Sequence, residues 1–168
     1  DYASKWSSSA RAHRRKVLEH IETGKITIRD DATLDEFLKL YEDTPVRDSE
    51  KWFRLRLTRK LFENTDTDYR IYIISVDGKP LAWALFIDEG TTSEYWVSFY
   101  HADGHPHHLG IAMMDRWMFD SYEKWIKYCD LDHMRDSWQS LGYAGYTKFK
   151  SSIADYDVHF HDMWVKIF

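Results

Sequence analysis

Cysteine is almost absent from this sequence. Cys129 stands alone among 168 residues, so no intramolecular disulfide can form and the fold does not rest on an oxidising compartment. A basic excess is missing too: 23 Lys and Arg face 28 Asp and Glu, for a formal charge of -5. That balance excludes a surface devoted to phosphate neutralisation, though not a local basic patch. No apolar run approaches the roughly 20 residues needed to cross a bilayer, and the opening Asp1-Tyr2-Ala3-Ser4-Lys5 carries no apolar targeting core. The expected setting is a soluble protein of the cytoplasm. The first residue is not Met, which fits a processed protein or a piece of a longer one. What the chain does have is 43% hydrophobic residues and an aromatic share of 17%, with 8 Trp, 11 Tyr and 9 Phe. One sizeable core is expected, with ring-lined clefts.

Periodicity divides the chain without repeats or low-complexity linkers. Residues 9–22 set Val17, Leu18 and Ile21 at helical spacing behind Arg11, His13, Arg14, Arg15 and Lys16, and Gly24 stops that helix. Lys25-Ile26-Thr27-Ile28-Arg29 alternates as a short strand. Thr33 and Glu36 have the spacing of a reciprocal capping box, for a helix burying Leu34, Phe37, Leu38 and Tyr41 and ended by Pro45. Residues 48–63 predict a further helix with Trp52, Leu55, Arg59 and Phe62 on a stripe, flanked by Arg54, Arg56 and Lys60. Residues 69–76, 81–87 and 94–100 then read as strands joined by Asp77-Gly78-Lys79 and a turn at Gly90, an antiparallel meander. Polar, histidine-rich residues occupy 101–109, and a helix then opens near Gly110, with Ile111, Met114, Met118, Tyr122 and Trp125 as its buried stripe. A short strand near 128–131, an irregular stretch, a helix near 145–152 and a strand over 158–167 complete the chain. The expected fold class is α/β (α+β), a mixed, mostly antiparallel central sheet with helices on both faces.

A helix opening directly after a strand presents unpaired N–H groups and a positive dipole end, where an anion belongs. At that junction stand His107-His108-Leu109-Gly110-Ile111-Ala112. Small residues at 110 and 112 let a pyrophosphate approach the main chain, although Gly110 as a simple tight turn remains an alternative. The segment resembles the loop of GCN5-related N-acetyltransferases, in which Gln or Arg, two residues, Gly, one residue, then Gly or Ala follow the fourth strand and grip coenzyme A. The matching positions are His107, Gly110 and Ala112, His107 departing from the usual richer donor. The order of elements over 25–167 also agrees with that family. The resemblance implies a single acyltransferase-like domain over 1–168, a basic helix at 1–24 preceding a core at 25–168, with a sheet splayed between strands four and five.

A second likeness is to the FemAB-like branch, whose second domain follows an arginine-rich helix and ends with Tyr, two residues, Phe, Lys before its last strand. Here Arg11, Arg14 and Arg15 supply the helix and Tyr146-Thr147-Lys148-Phe149-Lys150 the signature. The likeness implies that Lys150 stabilises charge on the acyl carbonyl, that Phe149 shapes its pocket, and that Tyr146 supports the transition state. Ser98 to Tyr100 would align the acyl arm, and His107, Gly110, Ile111 and Ala112 would hold the donor phosphates. A solvated surface Lys150 is the alternative from composition alone.

The implied function is transfer of an acetyl or other acyl group from acetyl-CoA or another acyl-CoA to an amine-bearing acceptor by direct attack. The alternatives are FemAB-like transfer of an amino acid from aminoacyl-tRNA to a cell-wall peptide amine, with tRNA as partner, and a non-catalytic binding module of the same fold. Such a transfer needs a base. Asp130 and Asp132 are candidates, as they are for helix capping before His133, and Tyr143 or Tyr146 can protonate a leaving thiolate. His101, His105, His107 and His108 cluster, as do His159 and His161. With one cysteine and no zinc-type spacing, no metal is expected. The rings and charges of Trp52, Phe53, Arg54, Arg56, Arg59 and Lys60 suit stacking on an RNA end, or equally a half-buried helix with a solvated basic edge.

Overall fold

The two-residue alternation of 69–100 becomes three long strands in a computed structural model of the chain, which describes residues 2–45, 48–64, 66–132 and 144–155. In chain order the elements are α1 (Ser8–Glu22), β1 (Ile26–Arg29), α2 (Leu34–Glu42), α3 (Asp48–Asn64), β2 (Asp68–Val76), β3 (Lys79–Glu89) and β4 (Thr92–Tyr100). A 3-10 turn (Ala102–His107), α4 (Leu109–Glu123), β5 (Tyr128–Asp130) and α5 (Ala144–Ser151) follow. The sheet order is β1-β2-β3-β4-β5. The first four strands pair antiparallel, and β5 joins β4 parallel over only Thr92–Glu94. The expected strand at 158–167, with His159 and His161, and the stretch holding His133 and Tyr143 lie outside the described residues.

Alternation along the strands gives the sheet two apolar faces. Tyr72, Ile74 and Val76 of β2 and Ala82, Ala84 and Phe86 of β3 meet Ala10 and Val17 of α1 and Met113 and Trp117 of α4. Ile71, Ile73, Trp83, Leu85 and Val97 face Phe37, Leu38 and Tyr41 of α2 and Leu55 of α3 on the other side. One irregularity matters for the site. Leu85 pairs with Val97 but Phe86 with Tyr95, so Trp96 is an extra residue in β4. This bulge flips the alternation, sending Tyr95 to the α4 face and Val97 to the α2 face.

A buried polar knot ties the strands to α4. Arg70 Nη2 on β2 donates to Asp88 Oδ1 of β3, Ser93 Oγ of β4 and Ser121 Oγ of α4, each at 2.8 Å. Trp117 Nε1 also donates to Ser93 Oγ at 2.7 Å. The carboxylate and hydroxyls give Nη2 the partners that a buried charge needs, while Arg70 Nε is buried without a hydrogen bond among the described residues.

Local signals set the helix ends. Thr33 Oγ1 accepts the Glu36 N–H at 3.2 Å, as the capping spacing predicts. The Glu36 carboxylate is held by Arg29 of β1, so it bridges to the strand where the sequence pattern pointed it back at Thr33. Replacing Thr33 with Ala is expected to cost about 1 kcal/mol in urea denaturation through loss of that cap.

Three expectations are corrected. Tyr122 and Trp125 are 63% and 88% exposed, because α4 begins at Leu109 and buries the 109, 113, 117, 121 line, with Met114 beside it. The expected stripe holds at Ile111 and Met114, which are buried, and at Met118, which packs on the core, and fails only at its C-terminal end. Trp52 is 53% exposed, since α3 turns Leu55 and Thr58 inward. Finally, the helix does not follow β4 directly: the 3-10 turn intervenes, with Pro106 within it. Among the described residues no helix is long and apolar enough to cross a membrane.

Candidate active site

Past Glu94, β4 continues to Tyr100 without β5 beside it, and the gap between the two strands is where polar groups collect. The bulge at Trp96 brings Tyr95, Ser98 and Tyr100 to one side. Tyr95 Oη shares a short hydrogen bond with Ser98 Oγ and lies 3.2 Å from Tyr100 Oη. Burial pushes both phenols up, so they stay protonated and able to donate at neutral pH.

Helix α5 delivers Lys150 into this gap, where it is 1% exposed. Its ammonium lies 4.0 Å from the Tyr146 ring centre and 5.7 Å from that of Tyr95, cation–π contacts that soften burial of the charge. Asp132 Oδ2 is 4.0 Å away. Burial pulls the Lys150 pKa down to about 8, against the pull of Asp132 and Asp130 upward and with Arg54 adding to the depression. Tyr146 is pushed far up by burial. Glu94, at the last rung of the β4–β5 ladder, is raised by burial and by the charges of Asp130 and Asp132. Asp130 Oδ1 accepts the Asp132 N–H at 2.8 Å, closing a turn after β5. The cleft thus holds a buried cation able to face a developing oxyanion, phenols able to donate, and carboxylates at its rim.

The 107–112 loop adjoins this gap. A Cβ placed on Gly110 would lie 3.2 Å from Phe149 Cζ, so the glycine admits the Phe149 ring and ties the loop to α5. His108 sits in the left-handed region at φ 54 and caps α4 without a side-chain bond. Its carbonyl accepts both the Ile111 and Ala112 N–H groups, at 2.9 and 3.2 Å. Ile111 and Ala112 are buried in the core, and the forward-facing donors of the helix reduce to Leu109 and Gly110. His107 and His108 lie half-buried beside α1.

A family model described as "Acetyltransferase (GNAT) domain" matches residues 4–150. The chain belongs to the GNAT acetyltransferase family. Solved structures repeat the GNAT fold at low identity. AAC(6')-Iy, solved in complex with the bisubstrate analogue CoA-S-monomethyl-acetylneamine, is 10% identical, with a TM-score of 0.57 over 84% of this chain and 98% of its own. FemX is 12% identical, with a TM-score of 0.62 over 90% of this chain; the match spans 54% of FemX, about half its length. An acetyltransferase of Trypanosoma brucei is 13% identical, with a TM-score of 0.50 over 84% of this chain and 99% of its own. No curated protein sequence matches the chain.

Within this GNAT domain the sequence-derived residues fall into two adjoining groups. Ser98, Tyr100, Tyr146 and Lys150 meet in the gap; His107 ends the 3-10 turn and Gly110, Ile111 and Ala112 lie in the first turn of α4; Phe149 joins the groups. Sequence reasoning missed Tyr95, because only the bulge at Trp96 turns it toward Ser98. Arg54, read from sequence as part of an RNA-stacking face or a solvated basic edge, instead donates to the Trp96 carbonyl at 3.3 Å, and its charge reaches Lys150. Two of the three arginines of α1 have structural partners: Arg14 pairs with Asp115 at 2.5 Å, and Arg11 binds the Ser4 and Trp6 carbonyls. Among the described residues no group of three His, Cys, Asp or Glu is arranged to hold a metal.

Proposed function

We propose that this GNAT domain transfers an acyl group from a coenzyme A thioester to a primary amine by direct attack in the gap between β4 and β5. The observation that carries the reading is the buried Lys150 ammonium set against Tyr146 and the Tyr95–Ser98–Tyr100 hydroxyls. Lys150 and Tyr146 face the acyl carbonyl and stabilise the oxyanion of the tetrahedral intermediate. The acceptor amine attacks as the free base, its proton passing toward the carboxylates of Asp132 or Glu94, and a phenol of Tyr146 or Tyr100 protonates the departing thiolate. Phe149 shapes the acyl pocket, and the Leu109 and Gly110 N–H groups meet donor phosphate at the positive end of α4.

One observation favours a second reading, an aminoacyl-tRNA ester as donor. Gly110 is already explained by the Phe149 ring resting on it, so its small size does not by itself require a pyrophosphate. The test is thermal unfolding with acetyl-CoA, with and without a Gly110→Leu substitution that drives a side chain into Phe149. The coenzyme A reading expects stabilisation by about 2.7 kcal/mol at 100 times the dissociation constant, absent in the variant, together with acetylation of an amine by the wild type. No stabilisation by acetyl-CoA, with binding of aminoacyl-tRNA in its place, transfers the proposal to the ester donor.

A further inference from the structure

Helix α1 contributes more than packing. His13, Lys16 and His20 lie on one helical face, and that face is set against the loop carrying His107 and His108. The His13 ring stacks on His108 with centroids 3.9 Å apart and planes 12° from parallel. His20 meets the edge of His107 at 6.1 Å and 63°. All four imidazoles are half-buried, and Lys16 is exposed at the rim. His20 Nδ1 is sealed from solvent with no hydrogen-bond partner.

The charges around His108 are of one sign. Burial comes first, and then His13, Lys16 and His20 from α1 and His107 from its own loop all push its pKa down. From α5 the loop is met by the apolar Phe149 ring. Four imidazoles and an ammonium gathered before the positive end of α4 repel one another when protonated, and only a multiply charged anion relieves them together. A metal ion is a poorer fit, because the stacked His13 and His108 rings hold their nitrogen lone pairs in separate, nearly parallel planes, and no ligand triad forms among the described residues.

We propose that His13, Lys16 and His20 of α1, with His107 and His108, form a proton-linked clamp for a pyrophosphate-bearing ligand. Its catalytic use rests on the reading of the 107–112 loop as the donor phosphate site; its ligand chemistry does not. In the family resemblance His107 stands where a richer donor is usual, and here α1 supplies the missing donors from the helix packed beside it.

The pH dependence follows in sign. Burial first, and then repulsion from its neighbours, holds the His108 pKa below its ordinary range in the free protein. Bound phosphate raises it again, so binding takes up protons, is strongest in mild acid, and is lost as pH rises through the imidazole pKa of the complex.

The experiment is isothermal titration calorimetry of the whole chain with inorganic pyrophosphate at about pH 5.5 and about pH 8, in two buffers of different ionisation enthalpy. Affinity is expected to be about tenfold higher in acid for each pKa unit regained, with proton uptake. His13→Ala and Lys16→Ala are each expected to weaken binding roughly tenfold, the value of one charge-assisted hydrogen bond. Lys39→Ala, on α2 across the sheet, should change nothing. Absence of binding at both pH values, affinity indifferent to pH, or insensitivity to both α1 substitutions overturns the clamp. Pyrophosphate binding with the stated dependence but no acetyl transfer keeps the clamp and removes the coenzyme A reading. Acetyl transfer whose KM for acetyl-CoA ignores both substitutions does the reverse.

Discussion

Substituting Lys150 by Met is expected to lower acyl transfer by roughly 10²–10³-fold, the range seen for one lost oxyanion donor in a dry site, while the domain remains folded. Lys150 is 1% exposed, so its ammonium is solvated by the Tyr146 and Tyr95 rings and by Asp132 rather than by bulk water. Met fills the same space without charge, and replacing a buried ion by an apolar residue of similar volume is often neutral or stabilising. Asp132 keeps 30% side-chain exposure, so water can hydrate it once its partner is gone.

The pH behaviour separates a functional lysine from a merely buried one. With a pKa near 8, Lys150 is protonated at neutral pH, and its contribution as donor falls as pH rises through that value. Stability moves oppositely. Between about 8 in the folded state and 10.5 in the unfolded chain, the unfolded chain binds more protons, so wild-type stability rises with pH across that window relative to Lys150→Met. Steady-state rates and urea denaturation across pH 6.5 to 10 measure both trends. A Lys150→Met enzyme within threefold of wild type contradicts the assignment.

The second large effect is structural. Arg70→Met should cost about 3–4 kcal/mol in urea denaturation, since breaking a buried pair strands the other charge. Asp88 is left with 12% side-chain exposure, with Lys124 3.7 Å away as a partial substitute, and Ser93 and Ser121 each lose a donor. A loss under 1 kcal/mol would mean that the knot is not what joins β2, β3 and β4 to α4.

The meander was legible because Asp-Gly and alternating apolar residues define strands locally, and the α2 start because Thr33 and Glu36 carry its cap. The bulge at Trp96 was not legible: an extra strand residue leaves no composition signal, and it alone decides that Tyr95 joins Ser98 and Tyr100. The exposed end of the α4 stripe was not legible, because Tyr122 and Trp125 continue the helical spacing of Ile111, Met114 and Met118, although α4 ends at Glu123. Lys150 was named through resemblance, and its burial came from tertiary packing of α5. The α1 histidines read only as part of a basic helix face, since their partners at 107 and 108 are distant in sequence.

The most direct test of the central claim is a crystal structure of the domain with acetyl-CoA bound. The account predicts the thioester carbonyl in the gap past Glu94, within hydrogen-bonding reach of Lys150 Nζ or Tyr146 Oη, and the pyrophosphate before the N-terminus of α4, against the cluster of His13, Lys16, His20, His107 and His108. A thioester bound elsewhere, with the gap between β4 and β5 filled by protein side chains, would contradict it.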